Sequence, residues 1–438
     1  MSGKCIRKSC TIVILQWKTW QQIIGDIIMQ FNKEDFVIRL SMRSSILFIT
    51  GFMTMFHLVT LFPYIIYAAV IVGLACICLI SYSGLLQGRI CGAMQKYIAW
   101  YGFFTLFVVD SLLYSVNIIN PDYVLKRVLV IFALGFIVAS TVKREDDFKQ
   151  LANGLIVGAI VVAVVALLNE VGRVGVGRIG GKTTGSSVAL SGIMLVGIIC
   201  SLWRCIFFKK SRVLFGSASA FQFFMIFLTG SRRAILLSVF FLLVFFLFNH
   251  SINKNKKWLI ILLSCMGLVA ALYYVLTNDV LYNFVGWRLE SMLSSFMSDS
   301  NIVEDASMRE RGIMKAYAMQ LFSEKPILGY GVHGFAYMFR EYYGKLLYSH
   351  AGFVEILSCY GIVGFVIFYA IFFWIFRKIK LIFSYVEPWE MLLIVYAIVT
   401  FMTEGYTIAF ITPQVIVMLT ASCCMLTHRQ HDPQDRKE

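Results

Sequence analysis

Apolar and polar positions in this chain do not alternate; they separate into blocks. From residue 46 onward, apolar runs recur between short polar breaks at 46–62, 63–83, 97–119, 124–141, 151–169, 186–208, 214–230, 232–249 and 258–278, and again at 351–376, 389–404 and 408–427. A helix of about 20 apolar residues crosses roughly 30 Å of hydrocarbon, and a run with no polar face is at home in lipid rather than on a water-facing core. The pattern therefore predicts an all-α polytopic membrane protein of about twelve spans. It divides into an N-terminal segment 1–45, nine spans across 46–278, a polar insertion 279–349, three spans across 350–427 and a tail 428–438.

Two segments carry a different period. In the first, Trp17, Trp20, Ile24, Ile27, Ile28 and Phe31 fall on one helical face within a basic stretch, which fits an interfacial helix on the inner leaflet or an ordinary packing helix. In the insertion, Val285, Leu289, Met292, Leu293 and Phe296 share a face, as do Ile313, Met314, Tyr317, Leu321 and Phe322. Two amphipathic helices over the mouth of a bundle are expected, the second stopped by Pro326 and the run Gly329-Tyr330-Gly331.

Composition agrees: of 438 residues 59% are hydrophobic and only 14% charged, and the mean hydropathy is +0.78. The net charge of +15 could suggest nucleic acid, but the cations sit between apolar spans. With the N-terminus cytoplasmic, Arg89 and Lys96, Lys143 and Arg144, Lys209, Lys210 and Arg212, Lys254, Lys256 and Lys257, Arg377, Lys378 and Lys380, and the tail all fall inside, as the positive-inside rule requires. The near-neutral insertion then falls outside. The charge marks topology, and no nucleic-acid partner is expected. The eleven cysteines avoid the insertion and several lie within apolar runs, which is packing use rather than a disulfide framework or zinc site.

Cations that break the topological rule need another reason. Arg173, Arg178 and Lys182 lie in an expected outer loop, and Arg232 and Arg233 open a span from the outer side. Ionisable groups at membrane depth are functional candidates, and an anionic ligand at the outer face would account for these. Arg288, Arg309 and Arg311 on the insertion helices are solvated individually but suggestive if they converge. His350 stands where the insertion re-enters the membrane, and a neutral imidazole there could act as a base. Glu355 follows five residues later, about 140° round the helix, so the two side chains are not expected to share a face.

Other chemistries fit less well. Gly180-Gly181-Lys182-Thr183 lacks the first glycine of a phosphate loop, since position 176 is Val176. There is no His-x-x-x-His pair, no Gly-x-Ser-x-Gly elbow and no repeat of 20–50 residues. A transporter or flippase of lipid-linked sugars would predict opposed repeats and broken helices in matched positions, and Asp110 is a lone mid-span charge.

Three local patterns then occur in a familiar order: Thr229-Gly-Ser-Arg-Arg-Ala-Ile-Leu-Leu-Ser238; Arg311 followed fifteen residues later by Pro326-Ile-Leu-Gly-Tyr-Gly331; and Ser349-His-Ala-Gly-Phe-Val-Glu-Ile-Leu-Ser-Cys-Tyr-Gly-Ile-Val-Gly364. With the spans and the late outer insertion, these resemble the O-antigen ligase and polymerase superfamily (WaaL and Wzy) across nearly the whole chain. The resemblance implies a GT-C-like glycosyltransferase in the bacterial inner membrane, both termini cytoplasmic. It would take a glycan from undecaprenyl diphosphate by a single inverting displacement, with no cofactor and no metal. The acceptor would be a second lipid-linked glycan in a polymerase, or the lipid A core in a ligase. A chain-length regulator is a further partner such polymerases allow. By this resemblance Arg232 contacts the donor diphosphate, Arg311 is a second catalytic cation, His350 is the motif histidine, and Arg178 is the arginine between spans five and six. Arg233, Arg288 and Arg309 are expected to bind substrate. Two departures stand out. Ala351 replaces the usual Asn after the histidine, and Lys315 replaces a Trp four residues after the loop arginine, which keeps Arg309 as a rival to Arg311.

Overall fold

The computed structural model describes residues 41–60, 63–85, 90–116, 122–173, 178–208, 211–248, 306–379 and 387–428, with scattered positions between 258 and 290. The expected N-terminal interfacial helix, the expected helix 285–297 with Arg288, most of the ninth span and the tail beyond His428 lie outside the described residues. So do Arg89, Lys209, Lys210, Lys254, Lys256, Lys257, Lys380 and the side chain of Arg173.

Among the described residues every regular element is helical. In chain order these are α1 (Met42–Phe56), α2 (Tyr64–Ser81), α3 (Gly92–Leu113), α4 (Asp122–Thr141), α5 (Glu145–Glu170), the single turn α6 (Gly181–Thr184), α7 (Ser187–Phe207), α8 (Arg212–Thr229), α9 (Arg232–Phe248), α10 (Ala306–Glu324), α11 (Gly334–Tyr343), α12 (Gly352–Ile379), α13 (Pro388–Thr403) and α14 (Pro413–His428). Seven of them, α2, α3, α4, α5, α7, α8 and α12, are long and apolar enough to cross a membrane, while α1, α13 and α14 are apolar but shorter. The second insertion helix is present as α10. Its buried face is Met314, Tyr317, Ala318 and Leu321, while Ile313, expected on that face, is exposed. Tyr317 stacks against Phe335, Phe339, Tyr342 and Tyr343, tying α10 to α11.

The apolar surface is arranged for lipid. α2 buries only Tyr67, Ile71 and Cys78, and leaves Ile65 and Ile80 81% and 68% exposed, a stripe that in water would be an aggregation site. Lipid gives helices little hydrophobic reason to associate, so small residues must let backbones approach. Gly154 and Gly158 form such a pair on α5. A Cβ on Gly154 would collide with the Phe48 carbonyl oxygen, and one on the facing Gly51 with that of Leu151. Aromatic side chains use their polar ends as interhelical ties. From α3, Tyr97 Oη donates to the Phe132 carbonyl, Trp100 Nε1 to that of Phe368 and Tyr101 Oη to that of Phe410, each at 2.8 Å.

Contacts between breaks sort into two ends. At one end Thr60 N donates to Thr183 O (2.9 Å), Ile179 N to Leu228 O (3.3 Å), Val116 N to Tyr330 O (3.3 Å) and Gly352 N to Thr407 O (2.5 Å). At the other, Arg43 pairs with Asp147 and donates to Thr141 O, and Lys96 Nζ donates to Thr427 Oγ1 at 3.1 Å. The first set joins breaks expected outside, the second those expected inside. The first end also carries α10 and α11, and is called the insertion end below.

One expectation is corrected. The apolar run 351–376 predicts one unbroken helix, but α12 breaks at Gly361, which takes φ +62° and ψ −164°. Its freed backbone groups pair with the Pro326–Gly331 segment. Tyr330 N donates to Ser358 O (3.0 Å), Gly331 N to Cys359 O (2.7 Å), Ile362 N to Pro326 O (2.9 Å) and Val363 N to Ile327 O (3.3 Å). A helix can break at membrane depth only where protein supplies the missing partners, and here the insertion does. Glycine is required on both sides: a Cβ on Gly361 would collide with Ile327 O, and one on Gly329, at φ +67°, would lie 2.5 Å from the Cys359 carbonyl carbon. Gly361→Ala is expected to cost at least about 1–3 kcal/mol through strain at positive φ alone, read as a lower Tm of the purified protein. Gly73→Ala on α2, where a Cβ meets nothing within 4 Å, should leave Tm unchanged; equal Tm for both would contradict this.

Candidate functional site

The turn Ser349-His350-Ala351 is built by the residues around it. Glu355, buried in the first turn of α12, accepts from Ser349 N at 2.7 Å, and Ser349 Oγ accepts from Ala351 N at 3.3 Å. His350 is thereby held at φ +56°, a left-handed conformation uncommon for a residue with a side chain. The expectation that Glu355 is turned away from His350 assumed one continuous helix. His350 precedes the helix, and Glu355 instead fixes the turn that presents it. Beneath, Gly352 has no room for a side chain because a Cβ would collide with Glu404 Oε2. Glu404 in turn accepts from Tyr369 Oη and from Ala409 N, the latter at 2.9 Å.

Cations gather around this turn. Arg311, half-buried on α10, lies within electrostatic reach of His350, of Lys315 one turn further along, and of Arg233 at the start of α9. Glu404 faces Arg233 from the other side. Arg309 is exposed and, two residues from Arg311, lies about 200° round the helix. The structure thus brings together Arg233, Arg311 and His350 of the expected residues, and adds Lys315, which the sequence marks only as a departure. Arg232 opens α9, half-buried, beside Arg233. Like charges at i and i+4, as in Arg311 and Lys315, repel across a helix face, an arrangement that an anion between them would relieve.

Arg178 reaches the same end by another route. Its Nη2 donates to Gly230 O at 3.3 Å, next to the break that leads into Arg232, and Ile179 N binds Leu228 O. The loop is held by Glu170, buried at the end of α5, which accepts from Gly180 N (3.1 Å), Lys182 N (3.0 Å), Thr183 N (3.1 Å) and Thr183 Oγ1 (3.1 Å). The amides of the Gly-Gly-Lys-Thr run do form an anion cradle, and the protein's own carboxylate fills it. Gly180, at φ +111°, permits the turn.

The charges set the protonation of the exposed groups. Burial and then Arg311 hold the His350 imidazole below its ordinary value of 6.5, opposed by Glu310. Glu310 is held low chiefly by its bond to Lys345, at 2.8 Å. Burial and then Arg311 lower Lys315. His350 is therefore neutral near pH 7, with guanidinium groups at hand: one base, and several fixed cations suited to an oxyanion or a diphosphate.

Sequence reasoning missed Glu170, Glu404 and Lys315, and passed over Lys126 and Arg127, which also lie at the insertion end. The signal for Glu170 and Glu404 was available, since an acidic residue at the end of an apolar run is costly unless partnered.

Residues 217–369 match the Wzy_C family model, described as O-antigen ligase, and this segment runs from α8 through the broken α12. The match supports the O-antigen ligase/polymerase superfamily that the motifs resemble, whose members are membrane glycosyltransferase-like enzymes. No curated protein and no solved structure matches the chain.

Neutral imidazole reacts with diethylpyrocarbonate and imidazolium does not, so the pH midpoint of His350 modification reports its protonation. The midpoint is expected below 6.5. Arg311→Gln should move it up, because a cation that disfavours imidazolium is lost. Glu310→Gln should move it down, because an anion that favours it is lost. Shifts of opposite sign to these would dismantle the cluster.

Proposed function

We propose that the protein is a polysaccharide polymerase of GT-C-like architecture, acting at the outer face of the bacterial inner membrane, with both termini cytoplasmic. It transfers a glycan from undecaprenyl diphosphate to the hydroxyl of an acceptor sugar. The observation that carries this reading is that Arg311, at the insertion end, lies within electrostatic reach of Arg233, of Lys315 and of His350.

The chemistry follows from those residues. The acceptor oxygen attacks the anomeric carbon, its proton passes to His350, and the bond from that carbon to the diphosphate oxygen breaks with inversion. Negative charge grows on the leaving diphosphate. Arg233 and Arg311 offer planar guanidinium groups, which bind phosphate oxygens in pairs. Groups already aimed at the place where charge develops commonly account for most of the rate enhancement in such catalysis. Three cations supply what a divalent metal would otherwise contribute, so no metal is required, and the diphosphate activates the donor without a nucleotide. Arg232 and Arg178 flank the group and would extend the contact to the donor. Between the two loop arginines, the exposure of Arg309 favours Arg311 as the motif residue. Arg288 is assigned to substrate binding by the sequence alone.

A ligase reading, with the lipid A core as acceptor, has one observation in its favour: the description of the matching family model. Purified protein given lipid-linked repeat units without metal or nucleotide should yield a ladder of chain lengths if it is a polymerase. It should yield product only with added lipid A core if it is a ligase. Transport of lipid-linked sugars into sealed vesicles, with no new glycosidic bond, would sink both.

Arg233→Ala, Arg311→Ala and His350→Ala should each lower turnover by about 10²–10³-fold, the range for removing one charge-stabilising or proton-transferring group. Arg232→Ala should reduce it as well, and Arg309→Ala should stay near wild type. Wild-type rates for Arg311→Ala and His350→Ala, at wild-type protein levels, would remove these residues from the chemistry.

A further inference from the structure

A second polar cluster lies at the insertion end, formed by residues outside the one already described. His57 follows the last turn of α1, Tyr67 lies in the first turn of α2, Arg127 near the start of α4 and Gln414 at the start of α14. His57 Nδ1 lies 3.3 Å from Gln414 Nε2 and 3.1 Å from the Thr54 carbonyl. Arg127 is in electrostatic reach of both His57 and Tyr67. Tyr64 stacks near Tyr67, ring centroids 5.9 Å apart, and donates to the Lys126 carbonyl at 2.8 Å.

Two polar atoms in this cluster have no hydrogen-bond partner: Tyr67 Oη and Gln414 Oε1. Their residues are only 2% and 3% exposed. Leaving such a group unsatisfied is costly, and this cluster holds two, a free donor and a free acceptor. Half-buried Arg127 and His57 stand nearer the surface than these two. Nothing in the transfer chemistry uses these groups. An apolar lipid chain would satisfy none of them, and a phosphate would leave the Gln414 oxygen facing its own oxygens. A hydroxyl array satisfies all of them, because each hydroxyl both donates and accepts.

We propose that the insertion-end tips of α1, α2, α4 and α14 form a sugar-binding subsite, in which Tyr67, Gln414 and His57 hold the hydroxyls of a pyranose of the acceptor glycan beside Arg127. The assignment of that sugar to the acceptor rests on the transferase reading above; the sugar site itself does not. Tyr67 and Gln414 are positioning residues, since neither touches the reacting atoms.

The test uses the full-length protein in lipid nanodiscs. The probe is the soluble oligosaccharide released by mild acid from the host's own lipid-linked repeat unit, and binding is read by calorimetry. Wild type should bind it, and Arg233→Ala should bind it equally while losing turnover. Tyr67→Phe and Gln414→Leu should each weaken binding at least about tenfold, equivalent to about 1.4 kcal/mol, with unchanged elution and Tm. Gln414→Glu keeps an acceptor oxygen and should retain more affinity than Gln414→Leu. Those variants should raise KM for acceptor more than they lower kcat. Equal binding by wild type, Tyr67→Phe and Gln414→Leu would overturn the subsite and leave only buried water there, as would a wild type that does not bind. Sugar binding that depends on Tyr67 in a protein that transfers nothing would overturn the transferase reading and keep the subsite.

Discussion

The arrangement depends on a backbone constraint. A helix interrupted inside a membrane exposes amide and carbonyl groups that lipid cannot satisfy. α12 is interrupted at Gly361, and Pro326–Gly331 supplies four hydrogen bonds in return. That exchange anchors the end of α10, and α10 in turn carries Arg311 to His350, with Lys315 beside Arg311. It also joins the second and third sequence motifs directly, so Gly329 in one and Gly361 in the other are explained by the same close approach.

A group of cations would repel itself apart unless something fixes the segments that carry them. Three buried glutamates do so, each by accepting from backbone. Glu170 holds the loop of Arg178, Glu355 holds the turn of His350, and Glu404 sits under Gly352 and faces Arg233. Their oxygens accept from amides and hydroxyls, and Glu404 also offsets the positive charge of Arg233. The cluster at His57 and Gln414 differs in having two buried polar atoms, Tyr67 Oη and Gln414 Oε1, without partners.

The block pattern of apolar residues located the described membrane helices to within six residues at either end, since helices in lipid are delimited by the polar breaks themselves. The anomalous cations Arg178, Arg232 and Arg233 lie at the insertion end, as expected of the outer loops. Reasoning from sequence went wrong where it assumed regular helix. It continued α12 through Gly361, placed Ile313 on the buried face of α10, and judged Glu355 by an angle that does not apply across a turn.

What the sequence determined by itself is what local physics decides: which stretches are apolar enough for lipid, how breaks of one charge alternate with breaks of another, and which cations, Arg178, Arg232 and Arg233, stand against that alternation. Only the tertiary structure decided which of these meet. It set Arg311 inward and Arg309 outward, drew Lys315 in, and gave three glutamates their partners. Those choices turn on contacts between residues far apart in the chain, such as Tyr330 with Ser358 and Glu404 with Gly352. No periodicity along one helix records them, because they are fixed by backbone groups finding partners across the fold.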